Sequence, residues 1–255
     1  MIKYRDTLLR IVVAALWSTV FLSGGAWAQS KPNALDLNGT WEPYRGGRGA
    51  DPKLTPPAAT PLVLKPEYVK DYQAKRAADA AATSRGEQLA TGAIACMPYG
   101  LPAMMAVASY PVEIIQTPKQ ITMVQEAYSE LRRIYMDKPQ LPIDEVPPTF
   151  HGRSVGRWEG DTLVINTVGV KESVQYQRIP HSDQMRITER VRFVAPEILH
   201  DQITIEDPVT LEKPYTYTLG YRRMSDYEMV EFVCAENNRE YVDEQGVVRL
   251  RVREK

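Results

Sequence analysis

The stretch from residue 154 to residue 167 constrains the fold more than any other part of the chain. It holds two β-prone runs joined at Glu159-Gly160, a pattern typical of a β-hairpin because glycine adopts the backbone conformations of tight turns. In the second run, Leu163 and Ile165 alternate with residues that are also large, so both faces are apolar. The pattern predicts a hairpin in the middle of an antiparallel meander, with its second strand covered on both sides.

Short β-prone runs separated by turn residues continue on both sides of the hairpin. They cover residues 112–117, 121–128, 131–136, 184–194, 198–206, 215–223 and 227–234, with an alternating tail at 247–253. Roughly ten strands at such short spacing are typical of an all-β barrel. We therefore expect a mainly β protein, an antiparallel closed or nearly closed barrel with one N-terminal helix.

The N-terminus has the pattern of a secretory signal peptide. Three basic residues lead into an apolar run at residues 11–21, and Ala26-Trp27-Ala28 fits a small-x-small cleavage site. The alternative is a membrane anchor, but the run is shorter than the roughly 20 residues that a spanning helix needs. The pattern predicts that residues 1–28 are removed and that the protein is periplasmic or secreted, with no membrane span after cleavage.

The mature chain divides into two parts of a single domain. Residues 29–111 contain a first strand near Trp41, a loop rich in proline and glycine at 46–66, and a helix from Pro66 to about residue 84. Residues 112–255 contain the barrel strands. The Gly-x-Trp at Trp41 resembles the first strand of lipocalin-type barrels, in which the tryptophan plugs the closed end.

Charge and cysteine content limit the partners and cofactors. The formal net charge of −1 falls by two to −3 when residues 1–28 leave, which gives no electrostatic reason to expect nucleic acid or an anionic membrane as partner. Cys96 and Cys234 are expected to form a disulfide in an oxidising compartment. A reactive thiol or metal ligand is the alternative, but neither cysteine has another Cys or His at ligand spacing. We expect no metal and no cofactor.

The hairpin also belongs to a wider pattern. The chain resembles a large family of secreted bacterial proteins, through motifs that cover most of the mature chain: Val155–Val164, Cys96-x-Pro98-x-Gly100-x-Pro102, Glu113–Pro118, Arg132–Tyr135, Pro180–Asp183, Asp207-Pro208 and Cys234–Asn237. The resemblance implies no specific activity. The chain departs from the family pattern at His151, which is displaced from its usual position, and at Asn166, where the family has an acid. Any role that depends on that histidine or that acid is therefore in doubt.

The candidate catalytic residues are His181, Asp183 and Glu189. Strand alternation over 184–193 places Glu189 in the middle of an apolar, inward face. Burial there would raise the pKa of an unpaired carboxylate and so suit it to act as a general acid or base. The alternative is a structural ion pair with an arginine such as Arg132 or Arg133. His181 and Asp183 lie in the loop just before this strand, and the alternative for them is a simple turn.

The candidate ligand-binding residues are Arg133, Tyr135, Glu126, His151, Trp158 and Tyr217. An inward pair of Arg133 and Tyr135 would offer aimed hydrogen-bond donors to an anionic or phenolic group. Tyr217 belongs to an aromatic face over 215–221, which suits either a ligand cavity or an ordinary core. Glu126 lies on a strand whose inner face the pattern leaves undecided. His200 is expected to face solvent.

These residues support three functional hypotheses. The first is a cofactor-free lyase, isomerase or hydratase for a small, mostly apolar or aromatic compound, with His181 and Glu189 exchanging protons. The second is a non-catalytic, lipocalin-like binding protein that uses the same cavity. The third is an envelope protein that binds other proteins through its surface. The sequence leaves the oligomeric state open.

Overall fold

Nine consecutive strands close into a barrel in the computed structural model, which describes residues 35–46, 50–89, 96–106, 110–234, 236 and 240–250. The barrel strands are Gly39–Pro43 (β1), Val112–Gln116 (β2), Gln120–Gln125 (β3), Glu130–Met136 (β4), Arg153–Glu159 (β5), Thr162–Val168 (β6), Arg186–Ala195 (β7), Ile198–Glu206 (β8) and Tyr215–Met224 (β9). Each strand pairs with the next, and β9 pairs back to β1. The predicted mainly β closed barrel is confirmed. The predicted signal peptide, residues 1–28, lies outside the described residues.

The hairpin of β5 and β6 forms as predicted. Glu159 pairs with Thr162, which leaves Gly160 and Asp161 as a two-residue turn. Gly160 has a φ of +62°, a left-handed conformation that favours glycine. Every residue of β6 except Asn166 is buried, so this strand is covered on both faces.

The step from β4 to β5 departs from the expected antiparallel meander. These two strands are parallel, with Ile134 opposite Ser154. A parallel pair needs a crossover of a dozen or more residues, and residues 137–152 supply it. The crossover ends at Gly152, where φ is +61° and an added Cβ would lie 2.5 Å from the carbonyl oxygen of Val168. Only glycine fits this close approach to β6.

The helix, Pro66–Ser84 (α1), begins at the predicted proline, and it is the one α-helix among the described residues. Proline suits the first helical position because the amide hydrogen it lacks has no partner there. Three side chains of α1 pack against the barrel core: Tyr68, Val69 and Tyr72. Asp79, near its C-terminal end, forms a two-fold hydrogen-bonded ion pair at 2.8 and 2.9 Å with Arg178 in the β6–β7 loop.

The strand predicted at 227–234 does not form. Glu126 lies just after β3 and is buried, and its Oε2 accepts hydrogen bonds from the Tyr227 hydroxyl at 2.6 Å and the Val230 amide at 3.1 Å. The carboxylate thus takes an amide that a strand ladder would use. Glu126 therefore holds the segment after β9 against the end of β3.

The C-terminal tail pairs with a neighbouring segment rather than with the barrel. Glu240–Val242 (β10) and Val248–Leu250 (β11) form a separate two-stranded sheet, so the expected edge strand at 247–253 is not part of the barrel. The predicted disulfide between Cys96 and Cys234 is confirmed. It closes a loop of 138 residues, and the chain-entropy model assigns such a loop about 5 kcal/mol of stabilisation.

Trp41 fills one end of the barrel. It is fully buried, and its Nε1 donates to the Leu37 carbonyl oxygen at 2.9 Å. The Phe193 ring meets it edge-on at 5.8 Å, and the Arg223 guanidinium lies 4.3 Å above its ring. Trp41 pairs with Arg223 near the end of β9, whereas Tyr215 begins that strand. The opposite end of the barrel is therefore the end where a cavity can form.

Candidate functional site

A buried ion pair crosses the barrel interior. Arg132 of β4 donates from both terminal nitrogens to the two carboxylate oxygens of Glu189 on β7, one of these bonds at 2.8 Å. Its remaining donors reach the hydroxyls of Ser154 and Thr167 at 3.1–3.2 Å. Burial opposes the charge on Arg132, but Glu189 outweighs it and raises the pKa of the guanidinium. The positive charge of Arg132 is therefore already neutralised from within the barrel.

A second carboxyl group, that of Asp201 on β8, lies beside this pair. It is fully buried, and neither of its oxygens has a hydrogen-bond donor among the described residues. Burial raises the pKa of Asp201 well above its ordinary value, and the Glu189 carboxylate raises it further, while Arg132 opposes the shift. The shift favours the protonated form of Asp201, because one arginine cannot balance two carboxylates in a dry interior.

Asp201 was not among the predicted site residues, although β8 contains a signal for it. Leu199, Asp201 and Ile203 occupy every second position of β8 and are all buried, so strand periodicity places the three on the inner face. The expectation that His200 faces solvent is wrong. His200 is buried on the outer face beneath the proline-rich loop, and its Nε2 donates to the Leu54 carbonyl oxygen at 3.0 Å.

The aromatic side chains on the inner face of β9 line the same interior, toward the end of the barrel opposite Trp41. Tyr217 is buried, and its hydroxyl makes no well-formed hydrogen bond to the described residues, although Tyr176 lies beside it. Burial and then the neighbouring Tyr176 raise the pKa of Tyr217 well above its ordinary value, so it stays protonated. Tyr176 stacks on Tyr217, with ring centroids 5.2 Å apart and an interplanar angle of 23°. Tyr221, deeper along the strand, donates its hydroxyl to the Met105 carbonyl oxygen.

A cavity of about 650 Å³ lies against this aromatic face. Its wall is mostly aromatic or apolar and includes Pro57, Ala103, Tyr176, Tyr217 and Tyr221. One cation, the exposed Arg45, belongs to its rim. The volume falls within the roughly 300–1,000 Å³ of known small-molecule pockets. A flat, mostly apolar molecule fits such a wall, with polar groups limited to a few positions.

The β6–β7 loop covers one side of the cavity and connects it to a second groove. Tyr176, in this loop, lines the cavity, while Arg178 and Asp79 line a groove of about 720 Å³ against α1. Gln177 and Arg178 have φ values of +52° and +61°, unusual for residues other than glycine. Such backbone costs about 1–2 kcal/mol for each residue and persists only where its surroundings hold it. The ion pair between Arg178 and Asp79 contributes to that restraint, together with the hydrogen bonds within the loop.

Comparisons with known proteins give only a distant likeness. No protein-family model matches the sequence, and no curated protein matches it. The solved structures with a detectable similarity include the following two. The first, described as "REP1-NXSQ fatty acid transporter", is 14% identical with a TM-score of 0.35, and the match covers 76% of this chain and 98% of that one. The second is a mutant of the fluorescent protein UnaG, 12% identical with a TM-score of 0.31, covering 74% and 97%. At these TM-scores, neither structure supports an argument about function.

The predicted catalytic residues are held by other partners. Nε2 of His181 donates to the Val174 carbonyl oxygen at 2.8 Å, and Glu189 accepts from Arg132. Asp183 is exposed at the start of a turn. No hydrogen bond joins His181 to Glu189 in this structure. Their catalytic assignment stays a prediction.

The residue next to His181 has a clear structural partner. The Ser182 amide and hydroxyl donate to the carboxylate of Asp207 at 2.5 and 2.9 Å. The amides of Val209 and Thr210 donate to the same carboxylate at 2.9 and 3.1 Å. Asp207 thereby joins the loop before β7 to the turn after β8. Two motifs that the sequence analysis named separately meet at this point.

His151 pairs with a residue that the sequence analysis did not single out. Its Nε2 lies 2.8 Å from Oε2 of Glu130, which is buried. The Glu130 carboxylate also accepts the amide hydrogens of Tyr99 and Gly100, in the segment that follows Cys96. His151 and Glu130 therefore hold this segment against the barrel.

Arg133 and Tyr135 have the opposite orientation from the one expected. Both are exposed on the outer face of β4, where the Arg153 guanidinium lies 6.0 Å from the Tyr135 ring centroid. The arginine of this strand that enters the barrel is Arg132. Trp158, near the end of β5, is half-buried and packs against the core.

Two further observations concern metals and membranes. Within the described ranges, no group of three or more His, Cys, Asp or Glu side chains is arranged to hold a metal ion. Among the helices that the structure describes, none is long and apolar enough to cross a membrane.

Proposed function

We propose that this protein binds one small, mostly apolar or aromatic molecule in the cavity beside Tyr217 and holds it without chemical change. The observation that supports this most is the cavity itself, about 650 Å³ with an aromatic and apolar wall. Burial of a flat ligand against such a wall provides most of the binding free energy, and a few polar groups set its orientation.

We place the route of ligand entry at the β6–β7 loop. Tyr176 covers Tyr217, and the ion pair between Arg178 and Asp79 fastens this part of the loop to α1. This ion pair is partly exposed, so it can open at a modest cost in free energy. Release of Arg178 would let the unusual backbone at Gln177 relax and move the Tyr176 ring away from the cavity.

Catalysis has less support than binding. The acid–base hypothesis requires His181 and Glu189 to act on one ligand, but each is already engaged by a different partner. We also propose that the protein works in the periplasm or outside the cell. The signal-peptide pattern and the disulfide between Cys96 and Cys234 support this location, since disulfides persist in oxidising compartments.

The proposal is tested by capture of ligands from a cell extract. Purified protein with its disulfide intact is incubated with an organic extract of small molecules, and retained compounds are identified by native mass spectrometry. Ala106→Trp places a large ring at the cavity wall, and Ala78→Trp places the same ring on the exposed face of α1 as a control. We expect the wild type and Ala78→Trp to retain the same compound, and Ala106→Trp to lose it.

Three results would refute this proposal. The first is that the wild type retains nothing. The second is that Ala106→Trp retains the compound as well as the wild type does, which would place the ligand elsewhere. The third is conversion of the compound by the wild type but not by His181→Ala, which would make the protein an enzyme. Circular dichroism of each variant checks that it has folded.

A further inference from the structure

Two polar groups that make no well-formed hydrogen bond lie side by side in the barrel interior. Asp201 is opposite Leu219 in the β8–β9 register, and Tyr217 is opposite Ile203. Asp201 and Tyr217 are therefore diagonal neighbours on the inner face, with Cα atoms about 7–8 Å apart, a separation that a tyrosine side chain can span. Both groups are more than nine-tenths buried, and neither makes a well-formed hydrogen bond in this structure, although Asp201 faces the Glu189 carboxylate and Tyr217 lies beside Tyr176. Displacing Tyr176 would leave the Tyr217 hydroxyl buried without this neighbour, a state in which polar groups are seldom found, so whatever replaces Tyr176 has to supply a partner.

The charges of the interior restrict what that partner can be. Arg132 is the cation on the inner face of β4, and both of its terminal nitrogens already bind Glu189. An anionic ligand group placed near Tyr217 would find no free positive charge there, and two carboxyl groups lie close by. Burying an unpaired charge costs several times more than burying a neutral polar group. The partner is therefore neutral.

The chemistry of Tyr217 indicates the type of neutral group. A neutral Asp201 is a weaker acceptor than a carboxylate, so it leaves the hydroxyl hydrogen of Tyr217 free to donate toward the cavity. A phenol donates well to a carbonyl oxygen. Tyr176 now covers the Tyr217 ring in a stacked arrangement. An aromatic ligand that took the place of the Tyr176 ring would keep the stacking and bring its own acceptor to the hydroxyl.

We infer that the cavity recognises a flat, uncharged ligand with a ketone or similar carbonyl oxygen, which accepts a hydrogen bond from the Tyr217 hydroxyl while its ring replaces Tyr176. This inference rests on the proposed binding function and narrows its ligand class. It excludes a carboxylate head group at the inner end of the cavity. Arg45, exposed at the rim, is the one cation of the cavity wall that could hold an acid, and it lies in solvent.

Three matched probes test the inference. The first is the neutral fluorescent ketone 6-propionyl-2-(dimethylamino)naphthalene, whose emission moves to longer wavelength when its carbonyl accepts a hydrogen bond. The second has a propyl group in place of the propionyl group, and the third has a carboxylate at that position. Each is titrated into the wild type, Tyr217→Phe and Tyr215→Phe. Tyr215→Phe removes a hydroxyl from the same cavity wall and is the matched control.

We expect the wild type to bind the ketone about tenfold more tightly than the propyl probe, because one buried hydrogen bond is at stake. Tyr217→Phe should remove this difference, and Tyr215→Phe should keep it. The emission of the bound ketone in the wild type gives a second readout that requires no variant, and it should show a hydrogen-bonded carbonyl.

The possible failures are distinguishable. If no probe binds the wild type, the proposed binding function fails together with the inference. If the probes bind but the ketone has no advantage, or keeps it in Tyr217→Phe, the inference alone is refuted. Tightest binding by the carboxylate probe, lost in Arg45→Gln, would also refute it, because the ligand would then be an acid anchored at the rim.

Discussion

The replacement Asp201→Asn tests whether the barrel interior holds a neutral acid. The pKa of Asp201 in the folded protein is raised well above 3.8, by burial and then by Glu189. As the pH rises above about 4, the unfolded chain releases this proton while the folded protein keeps it. The folded state then binds one proton more than the unfolded state, so the free energy of unfolding falls by about 1.4 kcal/mol for each pH unit. This loss ends where the pH passes the folded-state pKa.

Asparagine has nearly the same shape and no proton to release, so Asp201→Asn should remove this pH dependence. The difference in unfolding free energy between variant and wild type should move in favour of the variant by about 1.4 kcal/mol per pH unit above pH 4. Urea denaturation followed by circular dichroism, from pH 4.5 to 7.5 without reductant, measures it. All other titrating groups are common to both proteins, so the difference isolates Asp201.

The same series shows what would contradict this reasoning. A constant difference across the pH range would mean that Asp201 is already ionised in the folded protein throughout this range, as it is in the unfolded chain, because Arg132 outweighs burial and Glu189. Asp183→Asn, which removes an exposed acid, is the control for loss of one negative charge.

Two further predictions concern stability and are measured by the same denaturation assay. Arg132→Met should cost about 3–5 kcal/mol because it leaves Glu189 buried and unpaired, whereas replacing both residues by methionine should recover most of that loss; a cost below 1 kcal/mol for the single change would contradict the buried ion pair. Gly160→Ala should lower the free energy of unfolding by about 1–2 kcal/mol, since φ at this position is +62° but no atom lies within 4 Å of the added Cβ. Gly152→Ala should lower it clearly more, since at nearly the same φ the added Cβ would lie 2.5 Å from a carbonyl oxygen. Equal costs at the two glycines would refute the argument from close approach.

Strand periodicity accounts for much of what could be predicted from sequence. It placed Glu189 and Tyr217 on inner faces because each shares its face of a long strand with apolar residues at every second position. The same rule applied to β8 also identifies Asp201, which shares its face with Leu199 and Ile203. The signal for Asp201 is therefore present in the local pattern of the chain.

Other features could not be derived from local pattern. In β4, Arg132 and Arg133 are adjacent, and each face of the strand carries apolar residues, so alternation alone cannot choose between them. The choice depends on Glu189, 57 residues away in the chain. The parallel pairing of β4 with β5 likewise has no local signal, because it depends on where the crossover at 137–152 leads.

The pairing of β1 with β9 sets an order of events during biosynthesis. Thr40 lies opposite Met224 in this pairing, and the ribosome adds Met224 roughly 180 residues later, about ten seconds or more at ordinary rates of synthesis. Until then the first strand has one open edge, and so does every partial sheet that follows it. We therefore expect chains truncated before β9 to aggregate instead of forming a smaller barrel, and factors that hold the nascent chain extended to favour its correct closure.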